Sequence, residues 1–205
     1  MADLAEHEED IVVEPMPVGS AGRKSSGWYG MLALIVTEGS LFVYLLFSFY
    51  YSWIWGGDGF LPGERPSLWL SGPDTVILIL SSVAAWWGER GVKQGRRGWQ
   101  LPLGIAIAIV LGIVFLVVQL YEWKDKTFAI DTSPYGSLYF TITGFHMAHV
   151  AVGVLVLLAL FVWALLGLFD PRRHAPVTIG IIYWHFVDVV WLFIFFTFYI
   201  TPYLS

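Results

Sequence analysis

Five long apolar stretches constrain this chain more than any other feature of its sequence. They run from about Trp28 to Trp55, Asp74 to Gly88, Pro102 to Trp123, Ser137 to Phe169 and Pro176 to Tyr203. A helix rises about 1.5 Å per residue, so about 20 apolar residues cross a hydrocarbon core about 30 Å thick. Four of the stretches reach that length unaided. The second must borrow flanking residues, and the fourth is long enough to tilt or to project beyond the core. None shows the two-residue alternation of a transmembrane β-strand. Composition points the same way: 57% of the 205 residues are hydrophobic and 13% charged, against about 25% charged in soluble domains. So much apolar surface fits neither a soluble domain nor a disordered chain. The 18% aromatic content suits rings anchored at membrane interfaces. The expected fold class is all-α, a polytopic membrane bundle of five transmembrane helices.

The connections are short and rich in helix breakers, from Gly56 to Pro73, Gly91 to Pro102, Pro134 to Gly136, and at Asp170-Pro171. None has room for a folded extramembrane domain. Residues 1–27 open with an acidic run (Asp3, Glu6, Glu8, Glu9, Asp10, Glu14) followed by Pro15, Pro17, Gly19 and Gly22. They read as a flexible cytoplasmic tail. The basic start of a signal peptide is missing, so the tail is expected to be retained. Residues 28–205 then form one five-helix domain. Eight of the 11 Lys and Arg residues fall on the tail and on the second and fourth connections. The positive-inside rule therefore places the N-terminus in the cytoplasm and the C-terminus outside. A net charge of -5 argues against a nucleic-acid partner. The lack of cysteine excludes disulfides and thiolate metal sites from this chain.

Ionisable groups inside the spans are few and similarly placed. Glu38 lies in the first span, His146 and His149 in the fourth, His185 and Asp188 in the fifth. Each is about 13–18 Å from the start of its own helix, near mid-depth. The two pairs are spaced i,i+3, so each pair shares a helix face. The short fourth connection makes the last two helices antiparallel neighbours. The expectation is one buried polar network between them, reached by Glu38, because lipid cannot satisfy such groups. Three readings of that network stand: a structural set of hydrogen bonds, a proton-linked site around Glu38, or a metal or haem site. Di-iron bundles carry paired Glu-x-x-His motifs, which are missing here. Glu122 ends the third span beside Trp123, in the manner of an interfacial anchor. Arg90, Lys93, Arg96 and Arg97 form a basic cluster that either sets topology or binds anionic lipid headgroups. Gly104, Ala108 and Gly112 repeat every four residues, a small-residue stripe that permits close helix packing.

These residues sit in a recognisable pattern. Tyr135-Gly136-Ser137, Thr143-Gly144-Phe145-His146-Met147-Ala148-His149-Val150 and Tyr183-Trp184-His185-Phe186-Val187-Asp188-Val189-Val190-Trp191 closely resemble subunit III of haem–copper oxidases. Glu38, in Thr37-Glu38-Gly39, is similar to that family's intramembrane glutamate. Gln119-x-x-Glu122-Trp123 resembles its Gln-x-x-Glu-aromatic signature. The resemblance extends from about Trp28 to Leu204 and implies a short, five-helix bacterial form in the cell (inner) membrane. It further implies an accessory subunit without redox cofactors of its own, bound to subunit I, with subunit II and other subunits in the complex. Haems and copper would lie in those partners, bound phospholipid in this chain, and the complex would reduce O₂ to water while pumping protons. Glu38 would correspond to the family's carbodiimide-sensitive acid, Glu122 to its acid at the third helix end. His146, His149, His185 and Asp188 would be its intramembrane polar positions. The acidic tail is a candidate contact within a respiratory supercomplex. Rival readings are an accessory subunit of nitric oxide reductase, a diheme cytochrome b anchor with histidine axial ligands, and a small proton-coupled transporter using Glu38 and Asp188.

Overall fold

The computed structural model describes residues 26–61, 68–95 and 98–204, so the acidic tail and Arg96 and Arg97 lie outside the described residues. Five long helices follow in order: α1 Ser26–Gly56, α2 Leu68–Lys93, α3 Gln100–Asp125, α4 Pro134–Leu165 and α5 Ala175–Leu204. A single 3₁₀ turn, Gly57–Gly59, follows α1. All five helices are long and apolar enough to cross a membrane, and no strand occurs among the described residues.

α2 starts well before the expected edge of the second span. Gly72 and Pro73 were expected to break the chain, yet both lie inside this helix. Pro73 has no N–H for the carbonyl of Trp69, but so close to the helix start only that bond is lost. At α4 the local signals agree with the outcome. The Ser133 hydroxyl accepts the Gly136 N–H at 3.0 Å, and Pro134 occupies the first helical position, where a missing N–H costs nothing.

Neighbouring elements close a ring: α2 packs on α3, α3 on α4, α4 on α5, and α5 back on α2. α1 stands outside the ring against α4 and α5, and of its side chains only Phe42 and Phe49 are buried. The small stripe on α3 does what its spacing implies. A Cβ on Gly104 would stand 2.6 Å from the Ala84 carbonyl oxygen and 2.8 Å from the Gly88 Cα, so the α2 and α3 backbones touch there. Further along, Gly112 of α3 and Gly153 of α4 both face the fully buried indole of Trp184, each with a ring atom 2.7 Å from where a Cβ would be. A large ring between two glycines locks three helices together. The largest side chains in the rest of the core are aromatic, with Trp191, Tyr139, Tyr199, Phe49, Phe115 and Phe198 all fully buried.

Candidate functional site

Glu38 on α1 and His149 on α4 meet, with Glu38 Oε2 3.2 Å from His149 Nε2. The other ring nitrogen, Nδ1, lies 2.7 Å from the Phe145 carbonyl. A carbonyl only accepts, so Nδ1 carries a hydrogen. The Glu38–His149 bond then holds one proton, either on the carboxyl and donated to nitrogen or on nitrogen and donated to carboxylate. The His149 side chain is 14% exposed and the Glu38 side chain 37%, so Glu38 lies partly at the surface of the chain.

His146, one turn before His149, is fully buried. Its ring stacks on Trp191 at a centroid distance of 5.0 Å, and the edges of Phe115 and Phe42 close around it at 5.8 and 6.4 Å. Neither ring nitrogen closes a hydrogen bond. Phe42 also packs edge-on against His149, at 5.1 Å, so one α1 side chain covers both histidines.

His185 and Asp188 of α5 turn to α2 instead. The Ser82 hydroxyl donates to Asp188 Oδ2 and lies 2.8 Å from His185 Nδ1. Having donated its hydrogen, Ser82 accepts the Nδ1–H of His185, so a short hydrogen-bonded relay joins the two α5 groups. Glu89, two turns further along α2, is paired with Lys93 and lies within electrostatic reach of His185. The single network expected between α4 and α5 is therefore divided. His149 bonds to α1, His146 sits in an aromatic cage, and His185 with Asp188 bonds to α2. Two helices with polar residues on shared faces need not direct them at each other once a third helix offers a closer partner.

A further polar group lies at the end of the bundle opposite the N-terminus of α1. Glu122 is 4% exposed. Its Oε1 accepts from Lys126 Nζ at 2.8 Å and from the Tyr199 hydroxyl at 2.5 Å. Tyr199 lies 3.1 Å from the Tyr139 hydroxyl, and the Lys126 ammonium stands over both rings at 5.2 and 5.4 Å. Glu122 is thus more than an interfacial anchor, since it ties α3 to α5. Sequence reasoning did not single out Lys126, Tyr199 or Ser82, and it left Asp74 at a span's edge, although that side chain is 1% exposed. An acid following Gly-Pro at the start of an apolar run could have been counted as inside the span. Of the basic cluster, Arg90 lies over the Trp86 ring at 5.3 Å and Lys93 pairs with Glu89; both are exposed, at the end of α2.

Among the described residues no group of three or more His, Asp and Glu side chains stands together as metal ligands. Both nitrogens of His149 are engaged and His146 is sealed by rings, so neither offers an axial ligand to a haem in this arrangement.

Such a bundle, with ionisable side chains paired between long apolar helices, defines a class: polytopic α-helical membrane proteins. Comparison with known proteins gives the family. The family model described as cytochrome c oxidase subunit III matches residues 8–203, and the chain belongs to that family. Among its relatives, the cytochrome c oxidase subunit 3 of Anopheles gambiae is 33% identical over 183 residues, 83% of this chain and 68% of the relative. The corresponding protein of Spodoptera frugiperda is 40% identical over 126 residues, 62% of this chain and 85% of the relative. That of Drosophila melanogaster is 33% identical over 183 residues. The chain is accordingly a multi-pass membrane protein and a subunit of a respiratory terminal oxidase.

Proposed function

We propose that this chain is a non-redox accessory subunit that packs on subunit I of a proton-pumping oxidase in a bacterial inner membrane, with its N-terminus cytoplasmic. Haems and copper belong to the partner subunits. Here the work is indirect: the bundle holds subunit I in its active form and sustains proton uptake. Arg90 and Lys93, with Arg96 and Arg97, attract phospholipid headgroups at the cytoplasmic face.

The observation that carries this reading is Glu38. An ionisable side chain that reaches the surface at mid-depth is costly against acyl chains, about 2.5–3.5 kcal/mol on insertion scales. A covering partner removes that cost, and His149 supplies the proton-sharing contact from inside. Glu38→Gln keeps the shape and removes the acid. The expected outcome is near-normal initial O₂ consumption by the assembled oxidase, a shorter active lifetime over many turnovers, and loss of carbodiimide labelling on this chain. Unchanged labelling in Glu38→Gln would rule out Glu38 as the reactive acid.

A further inference from the structure

We propose that Asp74, Gln119 and Glu122 bind a cluster of ordered water molecules between α2 and α3, at the end of the bundle opposite the N-terminus of α1. The contact of Gly88 with Gly104 fixes the register of the two antiparallel helices. Fourteen residues toward the start of α2 lies Asp74, and fifteen toward the end of α3 lies Gln119. At about 1.5 Å per residue the two stand at nearly the same level, with Glu122 one turn beyond. Asp74 is within electrostatic reach of Glu122. The three side chains are 1%, 0% and 4% exposed. Five of their polar atoms close no hydrogen bond within the protein: both Asp74 oxygens, both Gln119 amide atoms and Glu122 Oε2. Gln119 stands beside Tyr139 without reaching it in hydrogen-bond geometry.

Buried polar atoms in folded proteins are almost always satisfied by protein or by ordered water. A water needs two to four polar partners, and these five atoms supply acceptors from both helices together with the Gln119 amide donors. The other oxygen of Glu122 is already held by Lys126 and Tyr199. That clasp closes the site on the α5 side and leaves Oε2 without a protein partner. Ordered water fits this set because it can accept from the Gln119 amide and donate to the carboxyl oxygens, pairing both kinds of orphan.

Hydroxyl-radical footprinting of the chain in its native assembly tests this, because radicals formed from bound water oxidise the nearest rings. After correction for intrinsic ring reactivity, Tyr139 and Tyr199 are expected to be oxidised several-fold faster than Trp184, which is equally buried and has its N–H held by Ser81. Asp74→Leu combined with Gln119→Leu is expected to bring the tyrosines down to that slower rate. Gln119→Leu alone serves should the double variant fail to assemble. A high-resolution density map of the wild-type assembly is independent of any variant. It is expected to place water about 2.7–3.2 Å from Asp74 and Gln119. The proposal is overturned by tyrosines oxidised as slowly as Trp184, by a direct Asp74–Gln119 hydrogen bond with no density between them, or by a metal ion at that position.

Discussion

At the scale of single residues, this bundle is held by hydroxyls that receive buried indoles. The Trp191 N–H donates to Thr75 Oγ1 and the Trp184 N–H to Ser81 Oγ, each at 3.0 Å. Both indoles lie on α5 and both hydroxyls on α2, so the two bonds staple one pair of helices. Thr75→Val keeps the shape of the side chain and removes the acceptor, leaving a buried N–H unpaired, at a cost of about 1–3 kcal/mol. Thermal unfolding of the purified assembly should show that loss, whereas Thr75→Ser, which restores a hydroxyl, should stay near wild type. Hydroxyls such as Thr75, Ser81 and Ser82 are hard to foresee because they interrupt an apolar run without adding charge. Glu38, His146, His149, His185 and Asp188 were foreseeable as polar groups within spans for the opposite reason. Their partners were not, because a partner depends on how far each helix rotates about its axis, and an i,i+3 spacing fixes only a shared face.

At the scale of elements, span lengths followed from hydropathy, and close packing of α3 followed from the Gly104, Ala108 and Gly112 repeat; which helices it meets did not, since Gly104 touches α2 whereas Gly112 faces Trp184 of α5. Gly104→Ala would push a methyl group against the α2 backbone at Ala84 and Gly88. Backbone cannot swing aside as a side chain can, so the two helices must separate, at a cost of about 1–3 kcal/mol. Gly98→Ala, where a Cβ meets nothing, is the control, and both are read by thermal unfolding. The start of α2 was misplaced because Gly-Pro signals a break in water-soluble chains, whereas a proline near a helix start sacrifices one bond only. Nothing in Phe196-Thr197-Phe198-Tyr199-Ile200 announces the π-helical turn formed there, although it includes Tyr199, which reaches Glu122. Outside the membrane, Asp170 organises the α4–α5 connection by accepting the backbone N–H groups of Arg172 and Arg173 at 2.7 and 2.8 Å. These bonds, the one to Arg172 first, hold its carboxyl below the ordinary range. A depressed carboxylate orders its turn above its ordinary pKa, and that contribution is lost as pH falls through the lowered value. Amide exchange at Arg172 is therefore expected to be protected at neutral pH and to lose that protection in acid, while Arg173 keeps its second bond, to the main-chain carbonyl of residue 170. Asp170→Ala should leave Arg172 unprotected at both.

At the scale of the whole molecule, the ring of α2 to α5 is self-contained while α1 is not. Val36, Val43, Tyr44, Phe47 and Ile54 are all more than 60% exposed, and Glu38 reaches the surface among them. An apolar wall with an acid in its middle suits a neighbouring membrane protein better than lipid alone, and that face was not legible in the sequence because it depends on how α1 is rotated against α4 and α5. A subunit of this kind works inside an oxidase without redox centres of its own. The most direct measurement is to isolate the chain by affinity from its native membrane, identify what comes with it, and record O₂ consumption and the reduced-minus-oxidised spectrum. After this chain is stripped away, the same spectrum is recorded on both fractions. The account predicts co-isolation with the larger oxidase subunits, O₂ consumption, and haem absorbance that stays with those subunits. A chain that comes away alone, coloured and without oxidase activity around it, would contradict it.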